Sequence, residues 1–146
     1  MNIDSSRLNP RQEALVSAFQ YLIGNADWST TLSRNVKLIQ PYDTTAKVIV
    51  VPYDFDFSGL VDAPYAVPDN SLGLKSVRER AFLGIHENVE VLSPIKRYLE
   101  SKKDEMYAVI NDCKSLSKPT KVAMITYLET FYSPDATSPA LHHAFK

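Results

Sequence analysis

Two short β-branched runs, VKLIQ (36–40) and AKVIVVPY (46–53), carry the strand signal in this sequence. The turn-forming PYDTT separates them, which predicts a two-stranded antiparallel hairpin. Pro52 places the second run on an edge or at a strand exit. One hairpin cannot bury a sheet core alone, so helices must supply most of the interior. No strand–helix–strand alternation is visible, which excludes a doubly wound sheet. The expected fold is therefore α+β and helix-dominated, a small antiparallel hairpin flanked by helices.

The first helix is read from PRQEALVSAFQYLIG. Ala14, Leu15, Ala18, Phe19, Leu22 and Ile23 recur at helical spacing, Asn9 supplies the N-cap before Pro10, and Gly24 is placed to end it. The polar segment 25–34 reads as a loop. After residue 56 the chain is irregular for about twenty residues, and a loop of that length is usually functional or disordered; its aromatics and valines favour function. Ser76 and Glu79 match a capping box opening a helix over VRERAFLGI. Ser93-Pro94 opens a long helix carrying Ile95, Tyr98, Leu99, Met106, Val109 and Ile110, with Lys102 interrupting the stripe. A further helix starts near Pro119 and carries Val122, Ile125, Leu128 and Tyr132. The chain reads as a single domain, 1–146, with a fraying tail over 133–146.

Composition narrows the function. Sixteen basic and seventeen acidic residues leave a net charge of −1, so no global field favours nucleic acid or anionic lipid. No stretch approaches the length of a membrane span, and the N-terminus lacks a signal-peptide pattern, so the expectation is a cytoplasmic protein, or an exported one if the chain is a piece of a longer precursor. The single cysteine, Cys113, rules out an internal disulfide, and three histidines, His142 and His143 adjacent, give no zinc spacing.

The chemistry concentrates in VVPYDFDFSGLVDAPYAVPD (50–69). Asp54 and Asp56 end a strand, where a carboxylate needs water, a partner or a cation. They read as turn or capping residues. They also read as positions 1 and 3 of a calcium loop, with Ser58, Gly59 and Asp62 following in register, but Tyr65 stands where that loop needs a glutamate. A phosphatase of the haloacid dehalogenase type also starts with Asp-x-Asp after an apolar strand, yet needs a parallel sheet. The remaining reading is phosphoryl transfer, which needs a carboxylate to orient the incoming hydroxyl, an amide oxygen and further carboxylate oxygens for a metal. Asp27, Asn35, the hairpin, and then Asp54 and Asp56 with Phe57-Ser58-Gly59 follow in that order.

GNADWSTTLSRNVKLI followed by VPYDFDFSGLVDAPYA resembles the catalytic and metal-binding loops of atypical kinase-like proteins, the group around CotH-like and HipA-like kinases. It is similar in particular to uncharacterised bacterial proteins with Gly-Asn-x-Asp-Trp-Ser and Pro-Tyr-Asp-Phe-Asp. The resemblance covers roughly residues 10–85. It implies a fold like the C-terminal lobe of a kinase, with the N-terminal lobe and its glycine-rich turn and strand lysine absent. It further implies Asp27 as catalytic base, Asn25 and Asn35 on the cofactor side, and Asn35, Asp54 and Asp56 as ligands of Mg2+ or Mn2+, with ATP as the nucleotide. Partners would then be a nucleotide and a phosphoacceptor. The alternative is a non-catalytic interaction module on a degenerate scaffold of this kind. A missing lobe would leave the surface around Phe55, Phe57, Val61 and Tyr65 open to self-association. One feature departs from ordinary protein kinases: Asp27 and Asn35 are eight residues apart instead of five, so the intervening loop must bulge.

Overall fold

The computed structural model describes residues 4–85 and 89–133. Helix α1 (Pro10–Ile23) is followed by strands β1 (Val36–Ile39) and β2 (Ile49–Pro52), a long irregular segment, and helices α2 (Val89–Ser101), α3 (Lys103–Asp112) and α4 (Lys118–Tyr132). The fold is α+β and helix-rich, with one antiparallel hairpin.

Helix α1 starts and stops as its residues dictate. The Asn9 side chain accepts from the Gln12 N–H, Pro10 occupies the first turn, and Gly24 closes the helix at φ 67°, a left-handed conformation that favours glycine. The buried set is wider than the expected stripe, since Glu13, Val16, Ser17 and Gln20 are buried as well. A helix covered on all sides is a central core element. Ala14, Ala18 and Tyr21 pack against Leu92, Ile95 and Leu99 of α2, Val16 packs beneath the hairpin, and Leu22 meets Ile110 and Leu128 of α3 and α4.

The hairpin pairs Val36 with Pro52, Lys37 with Val51, Leu38 with Val50 and Ile39 with Ile49. Alternation turns Val36, Val48 and Val50 inward with Trp28 and Leu8, leaving Ile39, Ile49, Val51 and Tyr53 on the exposed side. Strand β2 is tied to the start of α1. Val50 N donates to Gln12 Oε1 at 2.9 Å while Gln12 Nε2 donates to Val50 O, so one side-chain amide stands in for a neighbouring strand. Asn9 N–H to Val48 O (3.0 Å) and Val48 N–H to Arg7 O (2.9 Å) extend the seam.

Three sequence expectations are corrected. The stretch opened by Ser76 and Glu79 is a turn and an extended run. Glu79 does reach back to the Lys75 N–H, but Arg80 then enters the interior and donates to Leu22 O and Tyr127 O while stacking 4.1 Å from the Tyr127 ring centre. Phe82 and Leu83 go to separate core clusters, and these tertiary contacts outweigh local helix preference. Helix α2 begins at Val89, so Pro94 lies inside it and does not open it. The long helix is two, broken at Lys102 (φ −97°, ψ 1°), so that α2 lies on α1 and α3 lies on α4; Tyr98 and Val109 are exposed. The last helix matches its expected start. The expected fraying over 134–146 falls outside the described residues.

Gly24 and Gly59 are required by a close approach. A Cβ on Gly24 would sit 1.8 Å from the Tyr127 hydroxyl, and one on Gly59 would sit 2.5 Å from it. Gly24→Ala is therefore expected to cost on the order of 3 kcal/mol, combining left-handed strain with this clash. Chemical denaturation of Gly24→Ala in a Tyr127→Phe background should give a smaller additional loss, because the clashing oxygen is gone while the backbone strain persists. Equal losses in the two backgrounds would contradict this packing.

Candidate functional site

The loop after α1 is organised by Asn25, which is 1% exposed. Its Nδ2 donates to Gln20 Oε1 (3.1 Å) and its Oδ1 accepts from the Asp27 N–H (3.0 Å). Both ends of the side chain face inward and fix where Asp27 stands. Trp28, 2% exposed, packs under the hairpin and anchors the other side of Asp27.

The eight-residue gap closes by a fold-out. Ser29 and Arg34 exchange backbone hydrogen bonds (2.9 and 3.0 Å), so residues 30–33 leave as a turn, with Ser33 at φ 50° and Leu32 exposed. Asn35 then lies beside Asp27, its Nδ2 donating to Asp27 O (2.7 Å) and Asp27 Oδ2 (2.8 Å). Arg34 Nε lies 3.3 Å from Asp27 Oδ1. Both N–H groups of the Asn35 amide point at Asp27, which leaves Oδ1 as the atom it can offer elsewhere.

Asp54 is brought to the same end of the hairpin. The Tyr53 N–H donates to Asn35 O (3.0 Å), extending the ladder by one pair. Directly beyond it Asp54 takes φ 59°, and Asn35 opposite takes φ 53°. Left-handed backbone at non-glycine residues is uncommon and costs of order 1–3 kcal/mol, and such strain gathers at functional sites. Here both strands turn out of the sheet at one end.

The electrostatics follow. The Asp54 carboxyl shares a hydrogen bond with that of Asp56, and with Asp56's charge and a lesser contribution from Asp27 it is pushed above the ordinary value of 3.8. Two adjacent carboxyl groups repel each other when both are ionised, and a nearby positive charge would relieve that repulsion. Asp56 Oδ2 also accepts from the Tyr65 hydroxyl (3.1 Å). Among the described residues no three of His, Cys, Asp and Glu are grouped to hold a metal ion. The Asp54–Asp56 pair supplies two neighbouring carboxylates, fewer than such a group needs. Mg2+ is commonly bound through one or two carboxylates plus substrate phosphates.

Of the surface expected to be open, Val61 and Tyr65 are exposed, while Phe55 and Phe57 are half-buried against Phe19 and Tyr65. Sequence reasoning passed over Arg34 and Asp69. Arg34 neighbours a singled-out residue, but nothing in the spacing shows that it returns to Asp27. Asp69 lies forty-two positions from Asp27, yet both line a cavity of about 190 Å3 between the two loops.

Asp54→Asn should stabilise the chain near neutral pH. The unfolded carboxyl ionises at the ordinary value of 3.8, while the folded one holds its proton to higher pH. The repulsive cost therefore grows as pH rises through that window and is complete above it. Asparagine also tolerates the left-handed backbone. Thermal unfolding should show the gain near pH 7 and none at about pH 3; an equal gain at both would contradict a charge origin.

No family model matches the chain, and no characterised protein or solved structure shows significant similarity to it.

Proposed function

We propose that the chain is the metal- and nucleotide-binding portion of an atypical kinase-like phosphotransferase, built as a counterpart of the C-terminal lobe of that fold. The observation that carries this reading is the return of Asn35 to Asp27 across the folded-out turn, beside a second loop in which the Asp54 and Asp56 carboxyls are neighbours. The order of helix, loop, hairpin and acidic loop agrees with the parts that phosphoryl transfer requires.

In this reading Asp27 orients an acceptor hydroxyl and takes its proton as the hydroxyl oxygen bonds to phosphorus. The bond from phosphorus to the bridging oxygen breaks, and its electron pair leaves with the nucleoside diphosphate. Asn35 and Asn25 hold Asp27 in place from two sides, and Arg34 balances its charge. Asp54 and Asp56 would hold Mg2+ or Mn2+, with Asn35 Oδ1 as a further oxygen. When bound, such an ion withdraws charge from the phosphate oxygens of ATP.

A second reading, a non-catalytic interaction module, draws on the outer face of the hairpin, where Ile39, Ile49, Val51 and Tyr53 are exposed. One experiment separates the two. Saturating Mg2+ or Mn2+ with ATP should raise the melting temperature by about 5 °C or more, and the double variant Asp54→Asn, Asp56→Asn should lose that shift. An unchanged melting temperature in the parent chain would overturn the phosphotransferase reading and favour the module.

A further inference from the structure

The long segment after Gly59 walls the cavity that opens beside Asp27. Phe57, Val67, Leu74 and Val77 supply apolar walls, and Asp27 and Asp69 supply the polar groups. Its shape is held by one local cap and two longer-range contacts. Asp69 caps the 3-10 turn Asn70–Leu72 by accepting from Ser71, Arg78 pairs with Asp62 at 3.1 Å, and the Tyr127 hydroxyl donates to Arg78 O.

We infer that this cavity is the acceptor pocket, and that it takes a neutral alcohol or phenol on a compact apolar body, with the hydroxyl directed to Asp27. The inference rests on the phosphotransferase reading for the fate of the hydroxyl, but the binding it describes does not. Size comes first. The volume of about 190 Å3 equals roughly six water volumes at about 30 Å3 each, and an apolar cavity of about 150 Å3 is known to hold benzene. The pocket is half open to solvent, so what it encloses is the hydroxyl-bearing end of an acceptor.

Polarity comes second. Hydroxyl groups that a polyol turned onto Phe57, Leu74 and Val77 would find no partner there, and each unpaired group is costly. Charge comes third. The Ser71 hydrogen bonds favour the ionised form of Asp69, and Asp27 adds a second carboxylate against the single positive charge of Arg34, so the balance disfavours an anionic acceptor. Asp27 already has Arg34 and Asn35 as partners, so an acceptor does not need a positive charge to sit beside it. Each Asp27 oxygen retains lone-pair capacity for one more hydroxyl donor.

The test uses the full chain labelled with 15N, without metal or nucleotide, and phenol as probe. Saturable amide shifts at Ala26, Asp27, Val67, Leu74 and Val77 are expected at millimolar phenol. Anisole, which lacks the O–H, should bind several-fold more weakly, and glycerol and glucose 6-phosphate should leave these amides unmoved. Val67→Trp, at a position 67% exposed and so compatible with folding, should weaken phenol at least tenfold. Shifts scattered over the surface, phenol binding unaffected by Val67→Trp, or anisole or glycerol matching phenol would each overturn the inference. A chain that binds phenol here yet shows no stabilisation by metal and ATP would uphold the pocket and reject the phosphotransferase reading.

Discussion

The last turn of α1 leaves carbonyl oxygens without helical partners, and distant segments meet there to satisfy them. Leu60 N–H donates to Ile23 O, Gly59 N–H to Gly24 O, and Arg80 to Leu22 O. Tyr127 of α4 stands against both glycines and under the Arg80 guanidinium, so the same junction brings in the last helix. Asn25 begins immediately after it and places Asp27; Gly59 ends the stretch that starts at Asp54. The relative position of the two polar loops is thus a consequence of how one helix end is capped. A change at Gly24, Gly59, Arg80 or Tyr127 would reach the site through the backbone without touching a site residue.

The site itself is arranged against local stability. Asn35 and Asp54 both adopt left-handed backbone at one end of a four-residue strand pair, and Asp54 stands beside the carboxyl of Asp56. Neither feature helps the chain fold. In the proposed function a bound cation would offset the repulsion between the two carboxyls. The capping of α1, the Gln12 bridge to β2 and the buried Trp28 offset that cost from outside the site.

Much of this was legible in the residues. Asn9, Pro10 and Gly24 mark α1 because capping is a local matter, and the hairpin follows from β-branched runs and a turn composition. The pairing of Asp27 with Asn35 was expected only with a bulge, and the exchange between Ser29 and Arg34 is that bulge. The segment 76–85 was misread because its fate depends on Arg80 finding carbonyls of two helices far away in sequence, which no local pattern encodes. The all-round burial of α1 was similarly hidden: Glu13, Ser17 and Gln20 look like a solvent face until the hairpin and the 82–85 segment cover them. The cavity beside Asp27 was out of reach for the same reason, since its walls come from loops separated by some forty residues.

The proposed function requires the two polar loops to share one cation. Mn2+ titrated into the 15N-labelled chain tests it directly, because the paramagnetic ion broadens amides in proportion to their closeness. The account predicts that Asp27, Asn35 and the amides of 54–57 broaden first and together, while those of α3 remain sharp. Broadening confined to 54–57 with Asp27 and Asn35 untouched, or spread evenly over the acidic surface, would contradict it.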